Sequence, residues 1–68
     1  MLTGTITRLI GDKGFGFIAR DGDQADYFFH RSGLRAGIRF TELREGQRVT
    51  FEMEHGEKGP RARVIAVE

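Results

Sequence analysis

The segment Lys13–Ile18 reads Lys-Gly-Phe-Gly-Phe-Ile, and its alternation of bulky and small residues predicts a β-strand. Successive side chains of a strand point to opposite faces, so Phe15 and Phe17 share one face and Gly16 lies on the other. Ile18 shares the face of Gly16 and is the natural core residue, which leaves both rings outward. The reverse phase stays open on alternation alone, because a period of two does not say which face is buried.

The rest of the 68-residue chain continues this pattern. Ten glycines divide it into short segments whose apolar residues recur with a period near two, which predicts an all-β fold. The five predicted strands are Thr3–Ile10, Phe15–Arg20, Asp26–His30, Arg48–Glu54 and Arg61–Val67.

Turns at residues 11–14 and 21–24 join the first three predicted strands into a meander. Residues 31–46 are predicted to form a short turn and a long loop, and residues 55–60 another loop. Closure into a barrel removes the exposed sheet edges that favour aggregation. We therefore expect one domain over residues 1–68, a five-stranded antiparallel Greek-key barrel of the OB type.

A second aromatic set follows in the third predicted strand. Alternation groups Phe28 with His30, and pairing of the two strands brings them beside Phe15 and Phe17. An outward cluster of three phenyl rings and an imidazole is unfavourable in water unless a partner covers it. Stacking of a nucleobase on an aromatic ring is worth about 1–3 kcal/mol and is largely indifferent to sequence. Single-stranded nucleic acid is therefore the predicted partner.

The inward face of the same strands supplies the predicted core. Tyr27 and Phe29 alternate with the outward pair, and we expect the Tyr27 hydroxyl at the barrel rim. The other expected core residues are Ile6, Ile18, Val49, Phe51 and Ile65.

Composition argues against several other function classes. There is no cysteine and the two histidines are far apart in sequence, so we expect no enzyme, no metal or cofactor and no small-molecule substrate. No apolar run approaches the roughly 20 residues that cross a bilayer. We expect a cytoplasmic monomer with no membrane partner. The formal net charge is only +1, but nine of the eleven cations are Arg, which stacks on bases and binds phosphate through a fork.

Two segments, residues 13–18 and 26–30, resemble the ribonucleoprotein motifs of the cold-shock domain family. Further residues fall at that family's spacings, so the resemblance covers nearly the whole chain: Gly4, Ile6, Leu43, Glu45-Gly46-Gln47, Val49, Phe51 and Gly59-Pro60. It implies an OB barrel that binds single-stranded DNA or RNA across its first three strands. It also implies a role as an RNA chaperone or a regulator of transcription or translation.

The resemblance assigns roles to individual residues. Lys13 matches a basic contact, Asp26 a polar contact to a base edge, and Phe40 an aromatic residue of the long loop. The family's stacking residues are matched by Phe15, Phe17, Phe28 and His30.

Two positions depart from the family pattern. Arg8-Leu9 stands where the family usually has Trp-Phe, and Arg31 where it usually has Phe. Guanidinium groups stack on bases and also meet phosphates, so we expect Arg8 and Arg31 to replace the missing rings. Drift towards weaker binding, or a different partner, is the alternative. Arg61 is predicted to strengthen the same basic field, with an ordinary solvated charge as the alternative.

A protein-binding OB module that uses the same aromatic face is the competing function. Aromatic side chains and Arg are enriched in the energetic centres of protein interfaces as well. The sequence does not distinguish RNA from DNA, because stacking ignores the sugar.

Overall fold

Short strands separated by glycine-containing turns close into a barrel in the computed structural model, which describes residues 1–23, 25–56 and 59–68. The elements are β1 (Leu2–Ile10), β2 (Phe15–Arg20), β3 (Asp26–Leu34), a 3-10 turn (Phe40–Glu42), β4 (Arg48–Gly56) and β5 (Gly59–Val67). The strands close in the order β1-β2-β3-β5-β4. The predicted all-β, five-stranded OB-type barrel is confirmed. Within the described residues, no helix is long and apolar enough to cross a bilayer.

The pairing of β3 with β5 is parallel, whereas the other four pairings are antiparallel. A closed ring with an odd number of strands cannot alternate throughout, so one neighbouring pair must run in the same direction. That pair is β3 and β5, which are joined by the register Phe29↔Ala62 and Leu34↔Val64.

Among the described residues, eight apolar side chains fill the barrel: Ile6, Ile18, Phe29, Leu43, Val49, Phe51, Ala62 and Val64. Five of the seven expected core residues are among them. Tyr27 is half-buried and packs against the core, with its ring centroid 5.9 Å from that of Phe51. Its hydroxyl donates a hydrogen bond to Asp23 Oδ2 at 2.8 Å, in an exposed position, as expected for the barrel rim.

The expectation that Ile65 lies in the core is wrong, because a β-bulge changes the alternation of β5. Phe51 pairs with Val64, but the residue before Phe51 pairs with Ala66. Ile65 is therefore the extra residue of the bulge and is only half-buried. Val64 takes the inward position instead.

The third, fourth and fifth strands are longer than predicted. β3 runs four residues beyond His30, because Leu34 pairs with β5. The β4–β5 hairpin also extends into the predicted loop at 55–60, through the pairs His55↔Pro60 and Gly56↔Gly59. Residues 57 and 58 of that loop, and Gln24 of the predicted turn at 21–24, lie outside the described residues.

Candidate nucleic-acid interface

The glycine at the centre of β2 fixes which face of this strand is buried. A Cβ atom on Gly16 would lie 2.5 Å from the backbone oxygen of Arg8 and 2.9 Å from the Phe29 ring, so only glycine fits. Ile18, on the same face, is completely buried. The predicted phase of β2 is confirmed, and the half-buried rings of Phe15 and Phe17 lie on the outer face.

Three phenyl rings form what we call the ring cluster: Phe15, Phe17 and Phe28. Phe17 pairs directly with Phe28 across β2 and β3, and their ring centroids are 6.0 Å apart. The ring centroid of Phe15 lies 6.0 Å from that of Phe17 and 5.6 Å from that of Phe28. Phe28 keeps 37% of its surface exposed. Such mixed edge-to-face and tilted contacts hold the rings in place while leaving part of each open.

His30 extends this surface as the cross-strand partner of Phe15. Its Nδ1 accepts a hydrogen bond from the backbone N–H of Ser32 at 3.2 Å and lies 2.9 Å from the Ser32 hydroxyl. An accepting Nδ1 places the proton of the neutral ring on Nε2. The imidazole is thereby fixed at one edge, and Nε2–H has no partner within the described part of the chain.

Arg8 lies on the other side of the cluster, exposed and directly opposite Phe17. The register of β1 against β2 shifts between Ile6 and Arg8, which leaves Thr7 as the extra residue of a β-bulge. The β3–β4 loop holds this bulge: Gly46 N–H donates to Ile6 O at 2.7 Å, and Leu9 N–H donates to a carboxylate oxygen of Glu45 at 3.1 Å.

Glu45 therefore positions the bulge of β1, a role that was not predicted from the sequence. Its place in the segment Glu45-Gly46-Gln47, at the spacing of the cold-shock pattern, was the available signal.

An open depression lies between β1 and β3 beside the Phe17 ring. It is lined by Thr7, Arg8, Phe17 and Asp26. Asp26 is exposed and pairs with Ala19, two residues after Phe17 along β2. Neither Arg8 nor Asp26 has an ion pair in the described ranges. A cation, a ring, a hydroxyl and a carboxylate therefore border one concave surface.

The comparisons with known proteins agree with this geometry. The model of the family described as "'Cold-shock' DNA-binding domain" matches residues 2–67. The chain belongs to this family. It is 50% identical to "Cold shock protein ScoF" of Streptomyces coelicolor over 66 residues, which are 96% of each chain. It is 48% identical to "Cold shock-like protein CspA" of Shewanella violacea over 66 residues, 96% of this chain and 93% of that one.

In this cold-shock domain, Arg31 lies over the β1–β2 turn instead of over the rings. Its backbone N–H donates to Gly14 O at 2.8 Å, and a Cβ on Gly14 would lie 2.7 Å from Arg31 Cδ. The side chain is exposed next to the turn that carries Lys13. Neither cation has a carboxylate partner among the described residues, so together they form a basic edge to the ring cluster.

Leu9 points towards the core, unlike the exposed Arg8 that precedes it. It is half-buried and packs against the core of the cold-shock barrel. At position 9 the family's ring is therefore replaced by a side chain that packs against the core. The other two departures from the family pattern, Arg8 and Arg31, are exposed.

Two predicted site residues are not brought into the ring cluster of this cold-shock domain. Phe40, in the 3-10 turn, is half-buried with its ring 6.1 Å from that of Phe29, so it packs against the core. Arg61 forms an ion pair with Glu54 at 3.2 Å, which offsets its charge. Base stacking by Phe40 and phosphate binding by Arg61 stay predictions. In the described ranges, no three His, Asp or Glu side chains come together as metal ligands.

Proposed function

We propose that this cold-shock domain binds single-stranded RNA or DNA by stacking bases on the ring cluster. The observation that carries the proposal is the mutual contact of Phe15, Phe17 and Phe28 on the outer face of two adjacent strands. Rings that only filled a core would lie inside the barrel with Phe29 and Phe51.

Base stacking on the ring cluster can supply most of the binding affinity. One base on one ring contributes about 1–3 kcal/mol, and each 1.4 kcal/mol is about a tenfold change in the dissociation constant. Two or three stacked bases therefore supply several orders of magnitude of affinity. Because every base has a π-face, this part of the binding is tolerant of sequence.

Cations at both edges of the ring cluster support the backbone contacts. Arg8 lies on the β1 side, and Lys13 and Arg31 lie on the turn beside Phe15. These three have no ion pairs in the described ranges, whereas Arg48 and Arg61 are paired with carboxylates. Unpaired cations attract phosphates without first breaking an ion pair, so the field around the cluster is stronger than the net charge suggests.

A role as an RNA chaperone or as a regulator of transcription or translation follows from binding of this kind. Stacking that ignores base identity keeps single strands open without committing the protein to one site. The relatives named above are called cold shock proteins, which agrees with such a role.

The test is binding of fluorescein-labelled oligothymidine and oligouridine of about six nucleotides, within the site size of an OB fold. We expect both to bind the wild type at low salt, and the Phe15→Ala, Phe28→Ala double variant to lose at least tenfold in affinity. Val67→Ala is the control, because Val67 is as exposed as Phe28 at 37% and lies on β5. If neither oligonucleotide binds the folded wild type, the proposal fails.

A further inference from the structure

We propose that the depression beside Phe17 selects guanine over the other bases. This inference rests on the proposed function and adds a base preference to one position of the bound strand. The elements that carry it are Arg8 and Asp26, which border the same depression from β1 and β3.

The register places these two groups on opposite sides of one ring. Arg8 is the direct partner of Phe17 on β1, and Asp26 lies on β3 two residues before Phe28, the partner of Phe17 on that side. A base stacked on the Phe17 ring therefore has a guanidinium at one edge and a carboxylate at another. Diagonal neighbours on adjacent strands lie about 7–8 Å apart, so a base that stacks on the Phe17 ring extends towards the carboxylate of Asp26.

Arg8 and Asp26 offer opposite hydrogen-bonding groups to a bound base. A guanidinium only donates hydrogen bonds, in a planar fork, and an ionised carboxylate only accepts them. The base that fits must offer two acceptors on one edge and two donors on another. Guanine does so: O6 and N7 accept an arginine fork, and N1–H and N2–H lie side by side facing the two oxygens of a carboxylate.

The other bases match less well. Thymine and uracil have a single N–H donor between two acceptors, and cytosine carries its donor and acceptors on one edge. Adenine has one acceptor on its N7 edge, next to the amino group, so an arginine fork meets a donor there. Each of these bases leaves an oxygen of Asp26 or an N–H of Arg8 without a partner.

The exposed carboxylate of Asp26 also favours contact with a base. An anion at the rim of a surface that attracts phosphates weakens binding, unless it accepts hydrogen bonds from the bound base. Asp26 has no ion pair in the part of the chain that the structure describes, and its position in the depression gives it such a role. Arg8 stands where the resemblance expects a tryptophan, so this preference belongs to this chain and not to the ring cluster alone.

The test compares oligothymidines of about six nucleotides in which one position at a time carries guanine, adenine or cytosine. One guanine per oligonucleotide prevents the strands from associating with each other, as runs of guanine do. We expect one guanine-containing oligonucleotide to bind the wild type about tenfold more tightly than oligothymidine, because a bidentate contact discriminates between bases by about 5- to 150-fold.

Two variants and two controls assign the preference to the depression. Asp26→Asn and Arg8→Gln should each bring the guanine-to-thymine affinity ratio close to one. Asp12→Asn and Arg20→Gln make the same charge changes at exposed residues outside the depression and should keep the ratio of the wild type. The ratio is the readout because a general change of charge alters all affinities together.

The outcomes separate this inference from the function on which it rests. Equal binding of all the oligonucleotides, or a preference for adenine or cytosine, overturns guanine selection and leaves single-strand binding standing. A guanine preference that survives in both variants overturns the assignment to Arg8 and Asp26. Absence of binding to every oligonucleotide overturns both proposals.

Discussion

Phe28 pairs with Phe17 across β2 and β3 with ring centroids 6.0 Å apart and planes at 69°, while the next residue along β3, Phe29, is completely buried. Two adjacent phenylalanines thus have separable functions. Phe28 belongs to the outer ring cluster, and Phe29 fills the barrel against Gly16. Binding and folding should therefore respond differently to the loss of each ring.

The first prediction concerns this pair. Phe28→Ala should weaken oligonucleotide binding by about 1–3 kcal/mol, the value of one stacked base, and leave the barrel folded. Phe29→Ala should lower the free energy of unfolding by about 3–5 kcal/mol, because it removes a buried ring. Urea unfolding and fluorescence anisotropy on both variants test this. Equal losses of stability, or full binding by Phe28→Ala, would contradict the assignment.

The second prediction concerns salt. On single strands, each phosphate contact contributes a slope of about 0.7 in log affinity against log salt concentration. With oligothymidine, which offers Arg8 no guanine, Arg8→Gln should therefore reduce the slope by about 0.7, the value of one phosphate contact. Arg20→Gln is the matched control, since Arg20 lies on β2 three residues after Phe17 and alternates to the other face. A wild-type affinity that does not change with salt would exclude the electrostatic component.

The third prediction concerns the glycine beneath the ring cluster. Gly16→Ala forces a methyl group against the backbone oxygen of Arg8, which cannot move away as a flexible side chain does. We expect a loss of about 1–3 kcal/mol or more in the free energy of unfolding. Gly11→Ala, where a Cβ meets nothing within 4 Å, should change stability by less than about 0.5 kcal/mol. Similar effects of both substitutions would refute the close approach.

The fourth prediction concerns acid stability. Arg48 donates hydrogen bonds to both carboxylate oxygens of Asp21, at 2.7 and 2.6 Å, and these bonds hold the pKa of Asp21 below its ordinary value of 3.8. A lowered folded-state pKa stabilises the fold above the unfolded value and loses that contribution as the pH falls through the folded value. The wild type should therefore lose this stabilisation below about pH 4.

Urea unfolding of Asp21→Asn across the same pH range measures the contribution. The variant should be less stable than the wild type at pH 7, and the difference should shrink as the pH falls below 4. Asp12→Asn serves as the control, because Asp12 is exposed and has no ion pair in the described ranges. A constant difference between Asp21→Asn and the wild type at every pH would show that the ion pair does not titrate as described.

The parts of the fold that local sequence decides were predictable. Ile18 and Gly16 indicated which face of the alternating segment is buried, and Phe28 and His30 on the neighbouring strand supported the same choice. The groups opposite it, Phe15 and Phe17, followed from alternation. The β1-β2-β3 meander and the ring cluster then required only that consecutive strands pair. Closure of the barrel joins strands that are not consecutive, β1 with β4 and β3 with β5.

The remaining features depend on contacts between distant parts of the chain. The bulge that presents Arg8 is held by Glu45 and Gly46 from the β3–β4 loop. The bulge at Ile65 reverses the alternation of β5 and cannot be seen in a period-two pattern. The packing of Arg31 over Gly14 likewise depends on the pairing of β2 with β3. The alternation of apolar residues along the chain marks none of these contacts.

An amide chemical-shift titration tests most directly whether single strands lie across the ring cluster. On adding an oligothymidine of about six nucleotides to ¹⁵N-labelled protein, we expect the largest shifts at Arg8, Phe17, Phe28 and His30. Thr50 and Glu52 on β4 should change little, because β4 is not adjacent to β2 or β3 in the closed barrel. Large shifts confined to β4, with the amides of the ring cluster unchanged, would show that single strands do not bind across the ring cluster.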